Sequence, residues 1–460
     1  MRLLLLSLLL ASCLSAKVEI SNFSPGETIR YPVPLLRGTC SDREANSITV
    51  TVAGRPPIEG VARDGQFIGL AHLAEGENQL LIQCGGEETR FTLHYRPQTN
   101  RHIVRSIYAV DSSGDTDYQS PLPDDPQNYQ EKFGTAMLLL QSLTAEWMND
   151  QGFGRRTFNL ELDEEQMVIV RTFKDEHPKE HYFAMDGLKW WREIYGPIER
   201  AGFPTREAKN VVVAGYTYFD PEKKKVFAHT ALGGGGLGLF GSGGMFSWPD
   251  SLPDTFRAFS DSTAVDPGRV HDDSAGRRNH WGMAATTIGA VCHELGHTFG
   301  LPHTTDRKGI MARGFDHLNR MFAFDDAPSA RKHRVIGPWK NSLPYWAPNS
   351  ASFLRYSRYF SLDDIDYSKD ARPELEVRQD RDKEDLIHVS ARHGVRFVGI
   401  SGAGDSVCSH DAYHDDGEMK RSLEFSLSEL RKRAGQDDFA IRIIDDRGNY
   451  RKFDSKKFVR

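Results

Sequence analysis

Cys292 opens the run CHELGHTFGLPHTTDRKGIMARG, which ends at Gly314. The stretch reads as the end of a helix followed by a loop that folds back, with His293, Glu294, His297, Gly300 and His303 at fixed spacing. Histidines four residues apart project from one face of a helix, so His293 and His297 can grip a single ion. The next helical turn cannot supply a third ligand without crowding, so the chain must leave the helix. Gly300 suits that exit because glycine takes a positive φ at little steric cost. Pro302 narrows the freedom of the return path that swings His303 toward the same ion.

Three neutral imidazoles, each about 2.0–2.1 Å from the ion, leave the fourth tetrahedral position to water, the ligand count of a catalytic Zn²⁺. Glu294 follows the first ligand and points about 100° around the helix from it. There it can reach the water as general base without ligating the metal. The expectation is therefore one catalytic Zn²⁺ on His293, His297 and His303, with Glu294 moving the proton. A bare HExxH is only a hint, but five fixed positions should coincide in a chain of this length on the order of once in ten thousand cases. A structural reading of the histidines is correspondingly disfavoured.

Around this run, residues 101–365 alternate strands and helices. Strands are expected at His102 to Asp111, Met167 to Phe173 and Val211 to Tyr218. Helices are expected at Tyr129 to Asn149, Met185 to Arg200 and Met283 to Thr298. In the first helix Phe133, Met137, Leu140, Leu143 and Trp147 share a face. The order implies an α/β layer architecture. Residues 17–98 carry short β-branched runs between Gly-rich turns, as a small β-sandwich does. Residues 372–460 return to short strands, clearest at Leu386 to Val389, Val395 to Ile400 and Ile441 to Ile444, and suggest a second β-rich accessory domain. Asp446-Arg447-Gly448-Asn449 reads as a hairpin turn.

At the N-terminus, Arg2, an apolar run from Leu3 to Leu10 and small residues up to Ala16 have the layout of a secretory signal peptide over 1–16. The apolar run is too short to span a bilayer, which needs about 20 residues. Leu10-Ala11-Ser12-Cys13 also resembles a bacterial lipobox, which would make Cys13 a lipid anchor; ordinary cleavage after Ala16 would discard it. The expected location is secreted or in the cell envelope, without a transmembrane span. Cys40 and Cys84 fall in one predicted sandwich and either bridge its sheets or remain thiols. Cys292 reads as a buried apolar residue of the helix. With 39% hydrophobic and 27% charged residues and a net charge of −6, the chain is ordinary for a globular protein. No basic footprint points to nucleic acid.

The extended histidine motif resembles the metzincin clan of metallopeptidases. That resemblance implies a twisted sheet with an active-site helix, protein or peptide substrates, and a methionine turn beneath the zinc. Met311 in Gly309-Ile310-Met311 falls where that turn belongs. A narrower likeness is to the little-characterised zinc metallopeptidases best known from fungi. It runs from LLRGTC through LGGGGLGLFGSGGMFSWPDS and the histidine motif to FLRYSRYF. The region 17–98 resembles immunoglobulin-like modules, through LLRGTC and LAEGENQLLIQC.

The glycines from Gly233 to Gly244 lack the Gly-Lys-Ser/Thr ending of a phosphate loop. They form either a substrate-pairing edge strand or a surface loop. Two weaker clusters, His410, Asp411, His414, Asp415 and Asp416, and Asp363, Asp364 and Asp366, read as solvated loops rather than metal sites. His229, His280 and His317 carry no assigned role. The competing classes are a binding or adhesion module with a structural zinc, and a zinc hydrolase of a non-peptide bond.

Overall fold

Alternating burial builds the N-terminal unit. A computed structural model describes residues 18–331, 342–378, 385–414 and 419–457. The leader with Cys13, and Asp415 and Asp416, lie outside them. Eight strands follow one hydrogen-bonded path: Val18–Ile20, Leu35–Cys40, Gln66–Leu70, Ile58–Arg63, Ser47–Val52, Gly76–Cys84, Glu87–Tyr95 and Glu27–Ile29. In Ser47–Val52 every second side chain, Ile48, Val50 and Val52, points into the core. The path curls back on itself. Cys40 and Cys84 come from strands far apart along it, yet the Cys40 Sγ donates to the Cys84 carbonyl at 3.4 Å. Both are buried free thiols, so of the two expectations for this pair the unbridged one is found.

The next layer is a six-stranded sheet. Its order is Asn159–Leu160, Ile103–Val110, Ala208–Ala214, Leu237–Gly241 and Ala231–Gly234, with Val170–Lys174 also paired to Ile103–Val110. All pairings are parallel except the last, where Ala231–Gly234 runs antiparallel at the edge. The glycine-rich run thus forms a hairpin, with Gly235 in its turn at φ +58°. The expected strand at Val211 to Tyr218 stops at Ala214, and Tyr218 begins a separate short strand, Tyr218–Asp220.

Two helices on this sheet bear on the site, while Gly187–Arg200 packs Trp190, Ile194 and Ile198 with Val212, Ala214 and Leu239. The helix Tyr129–Asp150 is buried from Lys132 to Met148 on every face, not on one. The reason is its position between layers: Ala145 joins the core of the N-terminal unit, while Phe133, Met137, Leu140 and Trp147 join the central core. Polar groups on it are therefore forced into pairs. Lys132 reaches Asp250 at 2.8 Å, and Glu146, 1% exposed, meets Arg155 at 2.7 Å and the Asn22 amide at 2.9 Å. The second helix, His280–Thr298, carries the motif. Asn279 caps it by accepting from the Gly282 N–H, and its residues Met283, Ala284, Ile288, Val291, Cys292 and Leu295 are buried.

The C-terminal strands form two sheets. One joins Glu374–Arg378, Leu386–Ser390 and Ser422–Ser426. The other runs His303–Thr304, Ser406–Ala412, Val395–Ser401, Ala440–Asp445 and Tyr450–Asp454, so it takes in a two-residue strand of the motif loop. The helix Leu427–Ala434 is an addition to the strands expected here, capped by Ser426 and closed by Gly435 at φ +71°. Among the described residues no helix is long and apolar enough to cross a membrane.

The Glu146–Arg155 pair ties the N-terminal unit to the long helix, because Arg155 also reaches Glu27 at 2.6 Å. Glu146→Leu should leave the guanidinium short of a buried partner and lower unfolding free energy by about 3 kcal/mol, read as a reduced urea midpoint. A loss below about 1 kcal/mol, the range of surface pairs, would contradict this role.

Candidate metal centre

His293 and His297 stand one helical turn apart with ring centroids 4.8 Å from each other. His303 closes the triangle at 5.3 Å from His293 and 4.8 Å from His297. One ligand-type atom from each of the three lies within 4.8 Å of the others. Backbone carbonyls decide which atoms those are. His293 Nδ1 is 2.7 Å from the Ile310 carbonyl, and His297 Nδ1 is 2.8 Å from the Leu301 carbonyl. A carbonyl oxygen can only accept, so each Nδ1 carries the proton and each Nε2 keeps a lone pair for an ion. Burial pushes the imidazolium form of His293 down to about 3 and lowers that of His297, so both rings stay neutral. This donor set fits a zinc ion: three imidazole nitrogens, two with their tautomer fixed by the fold.

The carbonyls come from the loop that follows the helix. After Thr298 the chain turns at Gly300, whose φ is +98°. There a side chain would be strained, and its Cβ would meet the Tyr450 ring at 3.2 Å. The return segment is held by backbone bonds: the Thr304 N–H donates to Met311 and the Ile310 N–H to Tyr345. Gly309 to Met311 then form a tight turn, closed by Ala312 N–H to the Gly309 carbonyl at 2.9 Å. Met311 is fully buried, and its Sδ occupies the place a Cβ on Gly296 would need.

His303 is held from a quarter that motif spacing could not reveal. It lies in His303–Thr304, which pairs in parallel with Ser406 and Val407 of the C-terminal sheet. Tyr450, from the same sheet, packs against Gly300. No local signal links residues a hundred positions apart.

Glu294 points to the side of the helix that faces the edge strand Ala231–Gly234. Burial pushes its carboxyl up to about 7, opposed by a hydrogen bond from the Gly233 N–H. Strand and helix approach closely here, since a Cβ on Gly233 would fall 2.1 Å from the Glu294 carbonyl oxygen. Only glycine permits that contact. Of the two readings of the glycine run, the edge strand is the one found, and it borders the histidine cluster.

The remaining candidates are accounted for by protein partners. Asp273 lies 3.0 Å from His229 and 3.3 Å from His271, beside a cavity of about 310 Å³ along the motif helix. Burial opposes ionisation of Asp273, but hydrogen bonds to these two imidazoles hold it well below the usual carboxylate range. His280 faces Asp261 at 3.1 Å, and His317 meets the Arg277 guanidinium at 2.8 Å. Asp363 pairs with Arg30 and Asp364 with Arg101, Asp366 accepts from the Ser368 N–H, and Asp411 pairs with Arg433. His410 stacks on Phe397, and His414 contacts the Tyr356 hydroxyl at 3.4 Å.

The chain is similar to several known proteins. A family model described as a putative peptidase family matches residues 17–401. A Schizosaccharomyces pombe protein named a putative zinc metalloproteinase is 25% identical over 333 residues, covering 67% of this chain and 54% of that protein. A Saccharomyces cerevisiae protein of the same description is 26% identical over 355 residues, covering 69% of this chain and 50% of that one. The chain thus spans about half the length of the curated relatives it matches. Among solved structures, OgpA from Akkermansia muciniphila, crystallised as a catalytically inactive form with an O-glycopeptide, superposes with a TM-score of 0.47 at 16% identity. The match covers 78% of this chain and 93% of that one.

Gly300 offers a direct check of the loop. Gly300→Ala should weaken zinc retention against a competing chelator by roughly tenfold, the equivalent of a backbone strain of one to two kcal/mol. Unchanged affinity would show that the exit conformation does not position His303.

Proposed function

The chain belongs to the peptidase family whose model spans residues 17–401, and on that premise we propose that it is a zinc-dependent metallopeptidase with Glu294 as general base. One observation carries the reading: three imidazoles converge, two of them with Nδ1 protons committed to backbone carbonyls, beside a carboxylate that is not part of the set. His293, His297 and His303 would hold the metal, and Zn²⁺ bound there supplies a Lewis acid that acidifies a water and polarises a carbonyl. Glu294 takes the proton from the attacking water on its carboxylate and returns it to the leaving amine. The hydrogen bond from Gly233 holds the carboxylate in place for both transfers.

The substrate is a protein or peptide. Its backbone would lie along the edge strand Ala231–Gly234, whose small residues let an extended chain approach for β-addition. The proposal extends to a metzincin-like arrangement, supported by the helix, the glycine exit and the Met311 turn. It extends also to export by the 1–16 leader, with Cys13 as a point of lipid attachment. A purely structural zinc has no use for a carboxylate beside its ligands, which favours the enzymatic reading over an adhesion module.

Glu294→Gln should keep one zinc per chain, by elemental analysis, while peptide hydrolysis falls by about 10²–10⁴-fold. His297→Ala should lose both metal and activity. Wild-type turnover by the Glu294 variant on a protein substrate would exclude the mechanism.

A further inference from the structure

Beside His297 the molecule holds a cavity of about 560 Å³. Its walls include the helix exit from His297 to Leu301, the edge hairpin at Gly233 and Gly235, the strand start at Arg206 and Lys209, the stretch 353–359 and C-terminal residues from Arg372 to Lys452. The lining is unbalanced in charge. It includes the cations Arg206, Lys209, Arg358, Arg372, Arg442 and Lys452, and a single carboxylate, Asp405.

Some of this charge is already neutralised. Asp405 bonds closely to Arg442 and lies 3.3 Å from Lys452, and Arg358 reaches Asp370 at 3.1 Å. Arg206, Lys209 and Arg372 have no ion-pair partner among the described residues. Lys209 is the most telling of them. Its ammonium donates to the Gly235 carbonyl at 2.6 Å and lies 4.9 Å from the centre of the Tyr359 ring, but no carboxylate faces it. Burial alone pushes it down to about 8, so it enters the cavity as a partly desolvated cation. The negative end of the motif helix is not what it answers. The Leu295, Gly296 and His297 carbonyls already accept from Phe299, Leu301 and Gly300 N–H groups.

A cavity that borders a metal ligand and the edge strand, and holds unpaired cations, is complementary to an anion on whatever lies along that strand. We propose that it is a subsite for a substrate carboxylate, from an acidic side chain or a free chain end, close to the bond that is cut. The proposal rests on the peptidase reading and adds to it a substrate class. It also gives the C-terminal unit a part in recognition, since Arg442 and Lys452 neutralise Asp405, the one carboxylate of the lining.

The test uses the zinc-loaded full chain and matched peptides in three forms: Asp or Glu at a fixed offset from the cleaved bond, Asn or Gln at that position, and either with a free or amidated C-terminus. The acidic form should be cleaved with a kcat/KM roughly tenfold above its amide counterpart. That ratio should fall toward one in Arg206→Gln and Lys209→Gln. If only the free-ended peptides show the preference, the carboxylate is the chain end; if amidated acidic peptides keep it, the side chain. Arg206 is exposed, so its variant remains informative if the half-buried Lys209 variant fails to fold. Equal cleavage of acidic and neutral peptides together with equal cleavage of free-ended and amidated ones, or an unchanged preference in both variants, would overturn the subsite. Fluorescence anisotropy of the same labelled peptides on the Glu294→Gln protein reads binding without turnover. A tighter acidic peptide there, with no hydrolysis by the wild type, would sink the peptidase reading and leave the subsite standing. Equal binding would sink the subsite whatever the wild type cleaves.

Discussion

The hydrogen bonds from His293 Nδ1 to Ile310 and from His297 Nδ1 to Leu301 are the constraint on which the rest of the structure turns. An imidazole has two nitrogens, and its value as a ligand depends on which one is free. Committing both Nδ1 protons to backbone carbonyls fixes the tautomer, orients each ring and leaves Nε2 facing a common point. Those carbonyls must come from chain lying under and beside the helix. The positive φ of Gly300, the tight turn at Gly309 to Met311 and the burial of Met311 against Gly296 are means to that end.

The third imidazole is secured differently, by a strand partner in another part of the molecule. His303 pairs with Ser406 and Tyr450 packs on Gly300, so the C-terminal sheet closes one side of the loop that carries the centre. The N-terminal unit acts at greater distance. Through Ala145 and the Glu146–Arg155 pair it grips the long helix, which in turn packs under the six-stranded sheet. The edge of that sheet brings the Gly233 N–H to Glu294.

What could be read in advance was local. The histidine spacing, the glycine exit and the helix expected from Met283 to Thr298, which begins at His280, follow from periodicity and backbone preference within a few turns. The alternation of strand and helix through residues 101–365 was legible for the same reason. Long-range relations were not. The pairing of His303 with Ser406 leaves no trace in composition, and the helix Tyr129–Asp150 looked one-faced because its far side is filled by Ala145 and other residues that suit either environment. The glycine run admitted two conformations until its neighbour, the backbone of Glu294, was known. The helix Leu427–Ala434 is different: its Ser426 cap and Glu429 form the spacing of a capping box. That signal stands before a charged, weakly periodic run.

The ligand set is the claim from which the rest of the account follows, and X-ray absorption at the zinc edge of the purified full-length protein examines it without substrate or activity. The account predicts a first shell of three nitrogen scatterers at about 2.0–2.1 Å, with imidazole outer-shell scattering and one further light atom. A shell containing sulfur at about 2.3 Å, or one made of oxygen without imidazole, would contradict it.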